Sequence, residues 1–189
     1  MVRFLASDVP PLHYRVYPLV IDKQKPAALS AASVLENEFY RISFDESRPG
    51  IRSIVDKATG RELVNTASPY ALGEYFRAVE TSHRRELDAR GSYDSAVRTS
   101  LDANGRELPA PVLKIDRATA NGGASILRTP LGSVGRIVGR GANAPRVELE
   151  VRLWNGIRRV DLVARIHKPR VEYHTTEALY IAFPLNIDA

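Results

Sequence analysis

Alternation with a period of two runs through most of this chain, and no other feature restricts its fold so strongly. In "VELEVRLW" Val147, Leu149, Val151 and Leu153 fall on one face, and Glu148, Glu150 and Arg152 on the other. Extended chain turns successive side chains to opposite sides, so this pattern describes a strand with one buried face. "FYRISF" repeats it with Tyr40, Ile42 and Phe44 against Arg41 and Ser43, and "IRRVDLVARI" with Val160, Leu162, Ala164 and Ile166. Further strands are expected over Tyr14–Val20, Ile51–Val55, Ala71–Arg77, Ala96–Leu101, Val112–Asp116, Ser125–Thr129, Val134–Gly139 and Ala178–Pro184. Turn-rich stretches ("DANGRELPAP", "ANGG", "GRGANAP") separate most of them. Glu80–Asp88 has room for a helical turn, but no long amphipathic helix is visible. Strands at short spacing without βαβ alternation predict an all-β, antiparallel β-sandwich.

The Asn155–Gly156 pair sits between two alternating runs, the strongest local signal for a tight hairpin. A two-residue loop sets Trp154 opposite Ile157, Val151 opposite Val160, Leu149 opposite Leu162 and Val147 opposite Ala164. The apolar faces then coincide. On the outer face Arg152 meets Arg159 and Glu150 meets Asp161, like charges that diagonal Arg–acid contacts on a solvated face would relieve.

The 189 residues read as one sandwich domain: lead-in strands over 1–21, a polar connector over 22–33, and the main sandwich over 34–189. The start without a polar lead-in and the apolar close "ALYIAFPLNIDA" give the expectation of a piece cut at both ends from a longer protein. No apolar run is long enough to span a bilayer, and the first residues lack the apolar core of a signal peptide. The absence of cysteine excludes disulfides and thiolate metal sites, as suits a cytoplasmic protein. Net charge is +5, yet acids interrupt every basic stretch, so nucleic acid is not an expected partner. The apolar edge at 178–187 leads us to expect self-association as a homo-oligomer.

Candidate chemistry is sparse. "HKPRVEYHTTE" holds His167, Glu172, His174 and Glu177, whose spacing matches no zinc motif and reads as solvated polar residues at a strand junction. His13 and His83 are isolated. Neither a nucleophile elbow nor a phosphate loop is present, and "GSVGRIVGRG" reads as strand and turn. Asp56 and Glu62 bracket a tight turn, where Asp56 is expected to cap backbone amides. Tyr70, Tyr75, Phe76 and Trp154 are the aromatic candidates for stacking on sugar, with Tyr75 and Phe76 assigned to the core. No residue is nominated as catalytic, cofactor-binding or metal-binding.

One extended stretch carries a resemblance. "LENEFYRISFDESRPGIRSIVDKATGRELV" resembles the start of the C-terminal β-sandwich region of family-38 glycoside hydrolases, the retaining α-mannosidases. The matching positions are Glu36, Asn37, Phe39, Gly50, Ile51, Ser53, Ile54, Asp56, Lys57, Gly60, Arg61, Glu62 and Leu63. "VPPLHYRVYPL" is similar to the segment before it, with His13 where glycine is usual. "ALGEYF", "VELEVRLWNGIRRVDLVARIHK" and "EALYIAFPLNI" follow in the family's order. The resemblance implies a galactose-mutarotase-like supersandwich, packed against an N-terminal catalytic domain where it could lend a wall or loop to the site of an α-mannoside. It also implies that the nucleophile and a divalent metal, usually zinc, belong to that other domain, so that the chain alone is inactive. A stand-alone carbohydrate-binding module is the alternative.

Overall fold

The computed structural model describes residues 6, 9–12, 14–18, 28–80, 113–169 and 177–187. Twelve strands and no helix occur among them: β1 Leu29–Ala31, β2 Val34–Glu36, β3 Tyr40–Asp45, β4 Gly50–Asp56, β5 Tyr75–Glu80, β6 Leu113–Arg117, β7 Thr119–Ala120, β8 Ser125–Thr129, β9 Gly132–Gly141, β10 Ala144–Trp154, β11 Val160–His167 and β12 Glu177–Ile181. All pairings are antiparallel, as expected of the all-β class. The main sheet has the order β1-β8-β9-β10-β11, with β7 also on β9. Two three-stranded sheets have the orders β2-β3-β4 and β12-β5-β6. No described helix is long and apolar enough to cross a membrane.

The sheet β2-β3-β4 packs on the main sheet through Ile42 and Phe44, the inward residues of the alternating run, and through Ile51 and Ile54, which depart from a period of two and both reach the core across the bulge opposite Ser43 and Phe44. Leu35, Ile42, Phe44, Ile51 and Ile54 meet Ile126, Ile137, Leu149, Val151 and Leu153 in one buried cluster. Gly135 lets the layers close, because a Cβ there would stand 2.5 Å from Cζ of Phe44. Tyr75 of the third sheet joins Ala118, Ala144 and Val147 in a second, smaller core.

The β10–β11 hairpin differs from the tight-turn expectation by two residues. Leu153 pairs with Val160, Val151 with Leu162, Leu149 with Ala164 and Val147 with Ile166. A type I′ turn needs positive φ at both central residues, but only Gly156 has it, at 73°. Asn155 is held elsewhere: its N–H donates to Leu131 O at 3.0 Å and its Nδ2 to Pro130 O at 3.0 Å. A shift of two leaves the apolar face unchanged, since the side-chain period is two. On the other face it replaces like-charge pairs with Arg152 opposite Asp161 and Glu148 opposite Arg165.

That outer face is not the solvated surface expected. The side chains of Glu148 and Glu150 are only 8% and 4% exposed. Arg136, Arg146, Arg152 and Arg165 fold over them and supply their hydrogen bonds.

Other boundaries also move. Leu29–Ala31, inside the expected connector, is strand β1 and pairs with β8. Residues 14–18 take no strand pairing and are exposed, because alternation without a partner strand leaves backbone groups to water. Ala71–Glu74 is not strand but a turn, so β5 starts at Tyr75. Glu80 ends β5, while 81–88 and the expected strand Ala96–Leu101 lie outside the described residues.

Candidate binding site

The polar residues of the β3–β4 hairpin are tied to backbone. Asn37 Oδ1 accepts from the N–H groups of Phe39 and Tyr40 at 3.0 and 2.8 Å, and its Nδ2 donates to Trp154 O at 3.0 Å. Lys57 Nζ donates to Asn37 O at 2.9 Å and meets Glu36 at 3.4 Å. Asp56 Oδ1 caps Ala58 N and Thr59 N at 2.9 and 3.3 Å, as expected of it. Its other oxygen takes the Arg158 guanidinium at 2.5 Å, the main reason its carboxyl lies below the ordinary range. Glu62 Oε1 accepts from Ile54 N and Val64 N at 2.9 and 2.8 Å. These side chains close turns and hold strand ends; none is presented to a ligand.

The groups that are presented lie at the far end of the hairpin. The Ile51–Leu72 bridge brings the end of β3–β4 beside the loop Asn65–Ala71. Between them is a cleft of about 180 Å³ lined by Asp45, Arg48, Arg52, Val64, Asn65, Thr66, Ser68, Tyr70 and Ala71. Asp45 and Arg52 also border a wider hollow of about 580 Å³ that continues past Ser33, Phe44 and Ser47. Asp45 Oδ1 accepts from Ser47 N and Oγ at 2.8 and 2.6 Å. Partial burial pushes its carboxyl up, but the Ser47 hydrogen bonds and the Arg48 charge outweigh that and hold it low. Asp45 is therefore ionised at neutral pH, with Oδ2 left as an acceptor. Arg52 makes no ion pair among the described residues.

A buried charge cluster holds this loop in shape. Glu74, fully buried, takes two bonds from Arg117, Nε to Oε1 at 2.6 Å and Nη2 to Oε2 at 2.7 Å. Ala71 N also donates to Glu74 Oε2 at 2.8 Å, and Arg48 Nη1 lies 3.6 Å from it. Arg48 and Arg117 both donate to Pro69 O, so the loop backbone is clamped from two sides. A buried carboxylate with this many partners is fixed in place, and so is the loop it grips.

Next to the cleft stands an aromatic ladder. Tyr70 stacks on Phe76 with ring centroids 4.6 Å apart, and Phe76 on Tyr180 at 5.1 Å. The Arg117 guanidinium caps the Tyr70 end, 4.8 Å from the ring centroid. Tyr180 is half exposed, which leaves an aromatic surface open at the other end. Stacked rings and a cleft of fixed polar groups suit the binding of a flat, hydroxyl-rich molecule.

Of the aromatic candidates, Tyr70 and Phe76 come together here, with Tyr180 as a third member that alternation alone did not single out. Phe76 is half-buried in the ladder instead of in the core. Tyr75 is core, its hydroxyl donating to Asn143 Oδ1 at 2.7 Å. Trp154 lies elsewhere, its Nε1 donating to Asp161 Oδ2 at 2.8 Å. His167 ends β11 and is exposed, while Glu177 is paired with Arg77, Lys168 and Asn143. Glu172, His174, His13 and His83 fall outside the described residues. No group of three His, Asp or Glu able to hold a metal occurs among the described residues.

Sequence reasoning missed Asp45, Arg48, Arg52, Asn65 and Ser68, which come from two segments that form no motif. The run "NTASPY", polar and turn-rich before an aromatic, was the available signal. No protein-family model matches the chain, and no curated protein matches it.

Proposed function

We propose that this chain is the non-catalytic β-sandwich domain of a family-38 glycoside hydrolase, an α-mannosidase working in the cytoplasm, and that its sandwich is of the galactose-mutarotase-like kind. The observation that carries this reading is the use made of the resembling motif. Asn37, Asp56, Lys57 and Glu62 are all bound to backbone groups, so the motif specifies a fold and leaves chemistry to another part of the protein. The nucleophile and the metal ligands would belong to an N-terminal catalytic domain. The described residues offer no ligand set for that metal. The cleft at Asp45, Arg52 and Asn65 would form one wall of the sugar site or hold a distal sugar. The reading is tested by the reading frame upstream of this chain: it requires a cluster of metal-ligating Asp and His there, and an upstream frame without one refutes it.

The exposed end of the aromatic ladder favours a second reading, a stand-alone carbohydrate-binding module. Calorimetric titration of the isolated chain with mannose and mannobiose separates the two. Saturable heat supports the module, and no heat counts against it.

A further inference from the structure

Among the described residues, strand β12 and the extended tail after it form an open sheet edge. Every bond that the tail makes inward uses an even-numbered residue. Ala182 N donates to Glu74 O at 2.9 Å and Ala182 O accepts from Gly73 N at 2.8 Å. Pro184 O accepts from Asn65 N at 2.9 Å, and Asn186 N donates to Leu63 O at 2.9 Å. In extended chain the backbone groups of alternate residues point to opposite sides, so Leu179, Ile181, Phe183, Leu185 and Ile187 present theirs outward. Pro184 is in the inward set, so its missing N–H leaves no gap in the outer row. Beyond β5, β12 has no neighbouring strand among the described residues.

The large side chains along this edge are apolar and substantially exposed. Leu179, Tyr180, Ile181, Phe183, Leu185 and Ile187 are 40%, 48%, 36%, 59%, 47% and 83% exposed. At roughly 150 Å² or more for a large apolar side chain, they present on the order of 450 Å² within nine residues. No charge interrupts residues 178–187, although edge strands are commonly guarded by lysine or by a proline in the outward set.

We propose that this edge pairs with the same edge of a second copy, antiparallel about a two-fold axis near Ala182. Such an axis preserves the parity of the alternation, so outward backbone groups meet outward groups. It sets Leu179 opposite Leu185 and Ile181 opposite Phe183, apolar against apolar. The two edges together carry on the order of 900 Å² of exposed apolar side-chain surface, of which pairing covers the flanks that face the partner, so the contact belongs to the small interfaces that dissociate on dilution. Because the contact is isologous it closes on itself, and the product is a dimer, not a fibre. This inference does not depend on the glycosidase reading.

Sedimentation velocity over a dilution series of the whole chain tests it. The wild type should sediment as a dimer that dissociates on dilution. Phe183→Lys should weaken the dimer about tenfold or more. Ile181→Pro, which removes one outward N–H, should do the same. Far-ultraviolet circular dichroism of the variants should stay at the wild-type values, and their melting temperature should match that of the wild type diluted to monomer, showing that the edge is lost and not the fold. A wild type that stays monomeric throughout overturns the proposal. So do oligomers that keep growing with concentration, or an undiminished dimer in a folded Phe183→Lys protein.

Discussion

Glu150 sits in the middle of the main sheet's outer face, and replacing it by glutamine should reveal what holds that face together. Its carboxylate accepts from Arg136 at 2.9 Å and Arg152 at 2.7 Å, and Arg165 lies 3.3 Å away. Burial alone would raise its pKa, but the guanidinium groups overcome that and bring it from 4.5 to about 2. Linkage converts a displacement of that size to ~3 kcal/mol of folding stability at neutral pH. Arg136 and Arg165 are nearly half exposed, so solvent screening trims the figure to about 2 kcal/mol. A carboxyl whose folded pKa is depressed stabilises above its unfolded value. The contribution is therefore complete above about pH 4.5 and disappears as the pH falls towards 2. Urea unfolding of wild type and Glu150→Gln at a series of pH values measures this directly. The variant should be less stable by about 2 kcal/mol at pH 7, and the gap should narrow steadily between pH 4.5 and the acid limit. A gap that is absent at pH 7, or equally large at pH 3, would refute the electrostatic account of this face. Glu148 shares Arg136 and Arg165, and its carboxyl is also held low, so the wild type itself should lose stability over the same acid range.

Three further outcomes are expected. Arg117→Met leaves Glu74 buried with Arg48 as its remaining ionic partner, and should cost about 3–5 kcal/mol in denaturant unfolding; an unchanged midpoint would mean that Glu74 is already satisfied without it. Gly135→Ala drives a methyl into the Phe44 ring and should cost about 1–3 kcal/mol, seen as a lowered melting temperature; a neutral effect would show the two layers to be looser than described. Arg52→Ala should leave stability within about 0.5 kcal/mol, since the side chain is exposed and unpaired among the described residues; on the proposed function it should also raise the KM for α-mannosides of the full-length protein, and unchanged kinetics would remove the cleft from the substrate site.

The alternation made the strands legible because burial acts on every second residue. Ser125–Thr129 is the expected strand without change, and Val134–Gly139 is the centre of β9. The β10–β11 register was not legible, because a shift of two leaves the apolar pattern intact. The choice depends on distant contacts: Asn155 is bound by the Pro130–Leu131 turn, and Asn37 by Trp154. Glu148 and Glu150 read as solvated because their positions alternate with the core. What buries them is the length of four arginine side chains, which a polar label does not express. The cleft was hidden for a similar reason. Asp45 and Arg52 meet Asn65 and Ser68 only through the Ile51–Leu72 bridge, and Glu74 meets Arg117 across 43 positions. "ALGEYF" looked like one strand because its apolar residues mask a buried carboxylate that ends a turn.

A paired hydrolysis assay on an aryl α-mannoside, with and without added divalent metal, tests the functional account most directly. One sample is this chain alone and the other is the full reading frame that contains it. The account predicts hydrolysis by the full protein and none by the chain. Hydrolysis by the isolated chain, or a full protein that leaves α-mannosides untouched under both conditions, would contradict it.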